Sequence, residues 1–136
     1  MPSRNEPAAR FVAALAELFF RDELHEPLEQ TLDRLVSPTF AQRINGHVYQ
    51  RNDYLDHVRD MRGTVNGGEV AVIEQLQIGD RIAGRYLFRV TQPDSRPAQF
   101  ESHIFAEFTE EGQISRMCEV ARVVDDSDDT DLLPAG

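Results

Sequence analysis

The residues best suited to do chemistry in this chain are one carboxylate, Glu119, and one histidine, His57. Glu119 lies in an apolar stretch, and burial raises the pKa of a carboxyl group, which makes it a useful acid or base near neutral pH. The alternative is a structural carboxylate, hydrogen-bonded to a helix or ion-paired at a pocket rim. His57 borders the inner face of a predicted helix, where it could reach Glu119. The simpler interpretation, which we favour, is a boundary histidine packed against a sheet.

Further polar side chains could orient a ligand beside Glu119. Gln42 alternates with Phe40 and Ile44, which favours an inward position, and Tyr86 offers a hydroxyl. Pockets combine a few such polar groups with apolar walls. For Tyr86, a core ring whose hydroxyl finds a backbone partner is an equal alternative. The predicted ligand-binding residues are Gln42, Tyr86, Phe88, Phe100, Ser102, Ile104 and Met117.

Other chemistries find no support in the residue pattern. His25 and His47 share no ligand spacing with other residues, and the single cysteine, Cys118, lies in an apolar strand pattern that favours a buried, inert thiol. We therefore predict no metal and no cofactor. Acidic residues outnumber basic residues 24 to 14, for a net charge of −10. That balance argues against nucleic-acid partners, which require clustered Lys and Arg.

A length of 136 residues fits one domain. We predict this domain at residues 1–124, followed by a solvated acidic tail at 125–136 that is rich in aspartate. The chain has no apolar run near the roughly 18 residues of a membrane helix and no signal segment at its start, which predicts a cytoplasmic protein without membrane contact.

The elements that must position these residues follow from periodicity and turn signals. A first helix follows Pro7, with an apolar face of Phe11, Leu15, Leu18 and Phe19. A second helix runs from Leu28 to about Leu35. The remaining N-terminal elements are a hairpin, Phe40 to Ile44 and Val48 to Gln50, turning at Asn45-Gly46, and a third helix capped by Asn52 and ending near Arg62.

The second half of the chain alternates in the way strands do. The predicted strands are Val70 to Ile78, Ile82 to Thr91, Phe100 to Phe108 and Ile114 to Val124. A two-residue turn at Gly79-Asp80 places Glu74 opposite Arg85, a favourable pair. Because helices and strands are segregated along the chain, the predicted class is α+β with an antiparallel sheet.

The register of the last hairpin decides where Glu119 points, because a one-residue slip moves every side chain to the other face. A four-residue loop, Thr109 to Gly112, turns Glu119 inward with Ser115, Met117 and Ala121. A three-residue loop, Glu110 to Gly112, instead pairs Glu119 with His103. We favour the four-residue loop because it gathers charged side chains, His103 among them, on one outer face and leaves Glu119 as the only acid among the apolar inward residues.

From about Phe11 to Val124 the sequence resembles the SnoaL-like branch of the nuclear transport factor 2-like superfamily. The resemblance rests on "SPTFAQRINGHVYQRNDYLDHVRDMR", "IGDRIAGRYLFRV" and "SHIFAEFTEEGQISRMCEVARVV". It implies a cone-shaped, curved sheet with three N-terminal helices around a pocket, and a homodimer packed through the outer sheet face. Relatives include polyketide cyclases, ketosteroid isomerase and dehydratases. In SnoaL-like cyclases the acid/base carboxylate occupies the position of Glu119, whereas the partner position on the neighbouring strand holds Ile104 here.

Three functions follow as alternatives. The first is a cofactor-independent isomerase, cyclase or dehydratase that moves a proton on a small, largely apolar carbonyl compound. The second is a module that binds such a molecule without reaction, which the missing partner at Ile104 favours. The third is a dimeric interaction domain whose pocket is filled by Phe88, Phe100 and Met117. Val70, Val72, Leu76 and Leu87 are predicted to form an apolar outer face that supports a homodimer.

Overall fold

The structure, a computed structural model, describes residues 6–21, 24–65, 67–91 and 98–124. Residues 92–97, between the predicted strands Ile82 to Thr91 and Phe100 to Phe108, and the predicted acidic tail at 125–136 lie outside these ranges. Within them the chain forms three helices and six strands. The elements are α1 (Glu6–Phe20), α2 (Leu28–Leu35), β1 (Val36–Ile44), β2 (His47–Gln50), α3 (Arg51–Gly63), β3 (Gly67–Ile78), β4 (Arg81–Thr91), β5 (Ala98–Phe108) and β6 (Ile114–Val124).

The six strands form one sheet in the order β2-β1-β6-β5-β4-β3. All neighbouring pairs are antiparallel except β1 and β6, which run parallel and bring the first and last strands of the chain side by side. The helices come first in the chain and pack on the sheet, so the predicted α+β class is confirmed. None of the helices in the described ranges is long and apolar enough to cross a bilayer.

The core lies between α1 and the helix-facing side of the sheet. Phe11 is fully buried and meets Tyr86 and Phe108 edge to face, with ring centroids 5.6 and 6.1 Å apart. Leu15 and Leu18 are also fully buried, while Phe19 is partly buried. The apolar face predicted for the first helix is therefore confirmed, and aromatic edge-to-face packing anchors it to the sheet.

The start of α3 differs from the prediction. Gln50, with φ −76° and ψ 170°, is the N-cap residue and makes no side-chain capping bond, so the predicted cap at Asn52 is wrong. Strand β2 runs directly into the helix, and Asn52 already lies in its first turn. The predicted turn at Asn45-Gly46 is confirmed, since both residues have positive φ, 49° and 87°.

Strand β3 carries an extra residue that the sequence interpretation missed. Glu74 lies opposite Arg85 as predicted, and Nε of Arg85 donates to Oε1 of Glu74 over 2.9 Å. The register then shifts between Val72 and Glu74, which places Val70 and Val72 opposite Phe88 and Tyr86. A bulge reverses the alternation of a strand. The prediction of Val70 and Val72 on the outer face is therefore wrong.

The last hairpin combines features of both predicted registers. The backbone N–H of Thr109 donates to the carbonyl of Gln113 over 2.7 Å, which closes the three-residue loop. A bulge at Ser115 then shifts the register, so that Glu119 lies opposite Ile104 rather than His103. Glu119 therefore faces inward as we favoured, although the loop is the alternative one. Ser115 is only partly buried, and Ile114 takes the inward position beside Phe108.

The outer face of the sheet is charged, with an apolar centre. Opposite charges pair on this face in several cases, including Arg81 with Glu107 at 3.4 Å. Cys118 is exposed on this face beside Phe105, so the predicted burial of its thiol is wrong. The inward and outward residues of β6 alternate, and Cys118 lies between the inward Met117 and Glu119.

Candidate functional site

A cavity of about 460 Å³ lies at one end of the helix-facing side of the sheet. This volume fits the few hundred Å³ that small-molecule sites occupy. The wall is mostly apolar and comes from the ends of α1 and α3 and from strands β1, β4, β5 and β6. Its apolar side chains include Phe19, Phe20, Ile44, Met61, Val65, Phe88, Val90, Phe100, Ala121 and Val123. The cavity is therefore not filled by its own aromatic side chains, as the third alternative above requires.

Glu119 is the acidic side chain in the cavity wall, and it is 8% exposed. Its Oε1 accepts a hydrogen bond from Nε2 of Gln42 over 2.9 Å, and its Oε2 accepts one from Oγ of Ser102 over 2.8 Å. Burial raises the pKa of Glu119, and the two hydrogen bonds oppose that effect in part. The three residues stand on adjacent strands β1, β6 and β5, so the sheet itself fixes their geometry.

Asn45 ties the end of β1 to β6 next to Glu119. Its Oδ1 accepts from the backbone N–H of Ala121 over 2.9 Å, and its Nδ2 donates to the carbonyl of Ala121 over 3.1 Å. Its own backbone N–H donates to the carbonyl of Glu119 over 3.0 Å. The side chain thus holds the backbone on which Glu119 is mounted. The Asn-Gly turn was visible in the sequence, but no sequence signal indicates this second role.

Two buried polar atoms near Glu119 have no hydrogen-bond partner among the residues that the structure describes. One is Oε1 of Gln42, whose residue is 2% exposed, and the other is the hydroxyl of Tyr54, which is fully buried on α3. Burial, and secondarily the negative charge of Glu119, raise the pKa of Tyr54 far above its usual range. A buried polar atom without a partner is destabilising unless water or a ligand satisfies it.

His57 lines the cavity but is held by aromatic neighbours rather than by Glu119. Its ring stacks on Tyr49, with centroids 4.5 Å apart and planes 26° apart, and Tyr49 also meets His47 at 4.3 Å. Burial lowers the pKa of His57, with Asp60 acting in the opposite direction. Glu119 takes its side-chain hydrogen bonds from Gln42 and Ser102, and the described contacts give His57 no bond to it.

The predicted ligand-binding residues fall into two groups. Gln42, Phe88, Phe100 and Ser102 line the cavity. Tyr86, Ile104 and Met117 face the same side of the sheet but are fully buried in the core, away from the cavity wall. The reason is that α1 covers this part of the sheet, and the hydroxyl of Tyr86 donates to Oε1 of Gln75 over 2.5 Å.

Sequence reasoning missed the helix ends that complete the cavity. Phe20 and Met61 close it from α1 and α3, with Thr64 and Val65 following α3. Their only sequence signal was an apolar or small side chain at a helix end, which is typical of many surfaces. Within the described part of the chain, no three His, Cys, Asp or Glu side chains are grouped so that they could hold a metal ion.

No protein-family model and no curated protein sequence matches this chain. Solved structures do match it over most of its length. A candidate isomerase from Rhodopseudomonas palustris is 17% identical, with a TM-score of 0.70, and the match covers 88% of this chain and 91% of the other. A candidate SnoaL-like polyketide cyclase from Jannaschia sp. CCS1 is 13% identical, with a TM-score of 0.63 and coverage of 89% and 91%.

A third matching structure is a nuclear transport factor 2-like protein of unknown function from Exiguobacterium sp. 255-15. It is 15% identical, with a TM-score of 0.64, and the match covers 89% of this chain and 99% of the other. Identities this low establish the shared architecture and no common activity. The chain has the nuclear transport factor 2-like fold that SnoaL-like polyketide cyclases share.

Proposed function

We propose that this protein binds a small, largely apolar carbonyl compound in the cavity and moves a proton on it, with Glu119 as the acid/base. The observation that supports this most directly is a buried carboxyl group with a raised pKa in the wall of a mostly apolar cavity. Perturbed carboxyl groups in clefts are frequent at catalytic centres.

The proposed step is a proton transfer at a carbon beside the carbonyl group. The Glu119 carboxylate takes the proton from that carbon, the electron pair of the C–H bond moves toward the carbonyl oxygen, and an enolate or enol forms. The neutral Glu119 then returns the proton to another carbon or to a leaving hydroxyl. Isomerisation, cyclisation and dehydration share this first step, which is why the geometry supports the class of reaction rather than one product.

The hydrogen bonds from Gln42 and Ser102 serve two purposes in this proposal. They fix the carboxyl group in one orientation, and they stabilise the carboxylate form that acts as base. His57 contributes a neutral, stacked ring to the wall, and we assign it an orienting role rather than a charged one. Tyr86 has no part in the step because its hydroxyl is bound to Gln75.

The proposal is testable without the natural substrate. The bicyclic ketone 2-tetralone exchanges the protons beside its carbonyl for deuterium in D₂O, which proton NMR follows directly. We expect the protein to accelerate this exchange and Glu119→Gln to reduce the acceleration by about 100-fold or more, the usual contribution of a general base. The matched control is Glu107→Gln, which removes a carboxylate from the outer face. Equal rates for Glu119→Gln and the native protein would refute the assignment.

A second candidate function is ligand binding without reaction. Both oxygens of Glu119 are already engaged by protein donors, and the opposite position on β5 is the apolar Ile104 rather than a second polar group. A purely structural carboxylate would have the same surroundings. This alternative predicts that a ligand co-purified with the protein, identified by native mass spectrometry, raises the melting temperature of Glu119→Gln as much as that of the native protein.

We also propose that two copies of the chain associate through the outer sheet face. Phe105, Val120 and Leu76 are 68%, 63% and 73% exposed there, and charged side chains surround them. A contiguous apolar patch with a polar rim is typical of a protein interface. Light scattering at micromolar concentration should give twice the monomer mass. Phe105→Glu should give the monomer, and a native protein of monomer mass would contradict the proposal.

A further inference from the structure

We propose that the cavity selects a ligand with a hydroxyl group, as an alcohol, phenol or enol, and that this hydroxyl donates its hydrogen to Oε1 of Gln42. The inference deepens the proposed function and rests on it only in requiring that the cavity hold a ligand. It starts from a buried acceptor in the cavity wall, Oε1 of Gln42, which has no hydrogen-bond partner among the described residues.

The unpaired atom of Gln42 is an acceptor, so it distinguishes ligands that carry a hydrogen-bond donor from ligands that do not. Gln42 lines the cavity and is 2% exposed, and its amide nitrogen already donates to Glu119. A ketone, ether or hydrocarbon has no hydrogen to offer the remaining oxygen, whereas a hydroxyl has. A site that leaves a buried acceptor unpaired binds more weakly, so a ligand with a donor gains over one without it.

The orientation of the Gln42 amide follows from its neighbours. An ionised Glu119 accepts only, so the amide group that faces it must be the nitrogen. A neutral Glu119 can place its proton on Oε2 toward the hydroxyl oxygen of Ser102, 2.8 Å away, and its Oε1 still accepts from the amide nitrogen. In the ionised state, and in the neutral state with the proton directed to Ser102, the oxygen of Gln42 is the atom left for a ligand.

The composition of the cavity wall favours a hydroxyl over a charged donor. Most of the wall is apolar, and an ammonium group would lose its hydration on entering it. A neutral hydroxyl loses less on entry and still supplies the hydrogen that Oε1 of Gln42 lacks among its described neighbours.

The test compares two probes of nearly equal shape, 2-naphthol and 2-fluoronaphthalene, by isothermal titration calorimetry on the full chain at pH 6.5. We expect 2-naphthol to bind about fivefold or more tightly, the lower bound for pairing a buried polar atom. In Gln42→Leu this ratio should fall to within about threefold of unity. The matched control is Ser102→Ala, which also removes a donor from Glu119 but leaves the Gln42 oxygen in place, so the ratio should persist.

Each outcome decides the matter. Equal affinities of the two probes for the native protein would overturn the inference and would mean that water already satisfies Gln42; this result needs no variant to fold. Discrimination that survives in a folded Gln42→Leu would overturn it as well. Failure of both probes to bind would also overturn the inference, because 2-naphthol carries the hydroxyl that the cavity is proposed to select. Discrimination without any exchange of 2-tetralone would support the hydroxyl selection while removing the proton-transfer function.

Discussion

The pH dependence of stability offers a test of the Glu119 environment that needs no ligand. We compare two substitutions at this position. Glu119→Gln keeps the shape and both hydrogen bonds, because an amide oxygen can accept from Gln42 while the amide nitrogen donates to Ser102. Glu119→Leu keeps a similar volume but offers neither neighbour a partner. The two variants therefore separate the loss of a charge from the loss of hydrogen bonds.

The difference in stability between the two variants follows from the number of hydrogen-bond donors that each leaves unpaired. Glu119→Leu leaves two buried donors, those of Gln42 and Ser102, at about 1–3 kcal/mol each. The larger apolar surface of leucine offsets about 1 kcal/mol of this. We therefore expect Glu119→Leu to be less stable than Glu119→Gln by about 1–5 kcal/mol, because the two penalties sum to about 2–6 kcal/mol before the offset.

The sign of the pH effect follows from the raised pKa of Glu119. The folded protein holds the proton that the unfolded chain releases near pH 4.5, the ordinary pKa of a glutamate side chain. This contribution to stability is fully present below that pH and is lost as pH rises through the folded pKa. The Glu119→Gln variant has no titrating group at this position. Its free energy of unfolding should therefore increase relative to that of the native protein as pH rises above 4.5.

Urea unfolding at pH 4.5 and pH 8, followed by far-UV circular dichroism because the chain has no tryptophan, measures both effects. The comparison must be made as a difference between native and variant protein. His57, whose pKa is lowered, contributes stability with the opposite pH dependence in both proteins, and the subtraction cancels it. A native-minus-variant difference that is flat or that rises with pH would refute the assignment of Glu119 as a buried group with a raised pKa.

Three further outcomes follow from the packing. Gly84→Ala should destabilise the fold by about 1–3 kcal/mol in urea unfolding, since a Cβ there would lie 2.6 Å from the hydroxyl of Tyr86. Tyr86→Phe should cost about 1 kcal/mol through the lost bond to Gln75 and leave the exchange of 2-tetralone unchanged; lost exchange would contradict the core role. Cys118 should react slowly with a thiol reagent in the native protein and rapidly in Phe105→Glu, and equal rates would contradict a covered outer face.

The sequence predicted the elements well because each has a local cause. The α2 helix and strand β6 begin and end at the predicted residues, and the Asn45-Gly46 turn has the backbone geometry that its residue types require. Hydrophobic periodicity, Gly and Pro act within a few residues, so one sequence is enough to place them. The start of α3 was wrong because the helix begins directly after the strand that the sequence predicted to end at Gln50, so Gln50 takes the N-cap position without a side-chain bond and Asn52 is already helical.

The cavity was harder to predict because it depends on contacts between distant segments. Gln42 and Glu119 are 77 residues apart, yet they share a hydrogen bond because β1 and β6 are neighbours. Tyr86 and Phe88 lie on the same face of β4 and each meets a phenylalanine of α1, but Tyr86 packs under Phe11 in the core, whereas Phe88 packs against Phe19 near the end of α1 and lines the cavity. Alternation predicts the face of a side chain, whereas helix placement decides whether that face is core or cavity wall.

One single-residue bulge, at Ser115 in β6, decides whether Glu119 faces the cavity. Without the extra residue at Ser115, the observed three-residue loop would place Glu119 opposite His103 on the outer face, among solvated charges. With it, the same carboxylate enters an apolar cavity and its pKa rises. The overall fold is shared with structures that are 13–17% identical, and shared architecture does not fix so local a feature. Function in this fold therefore depends on where a strand inserts one residue, and the register must be established before any activity is transferred from a structural relative.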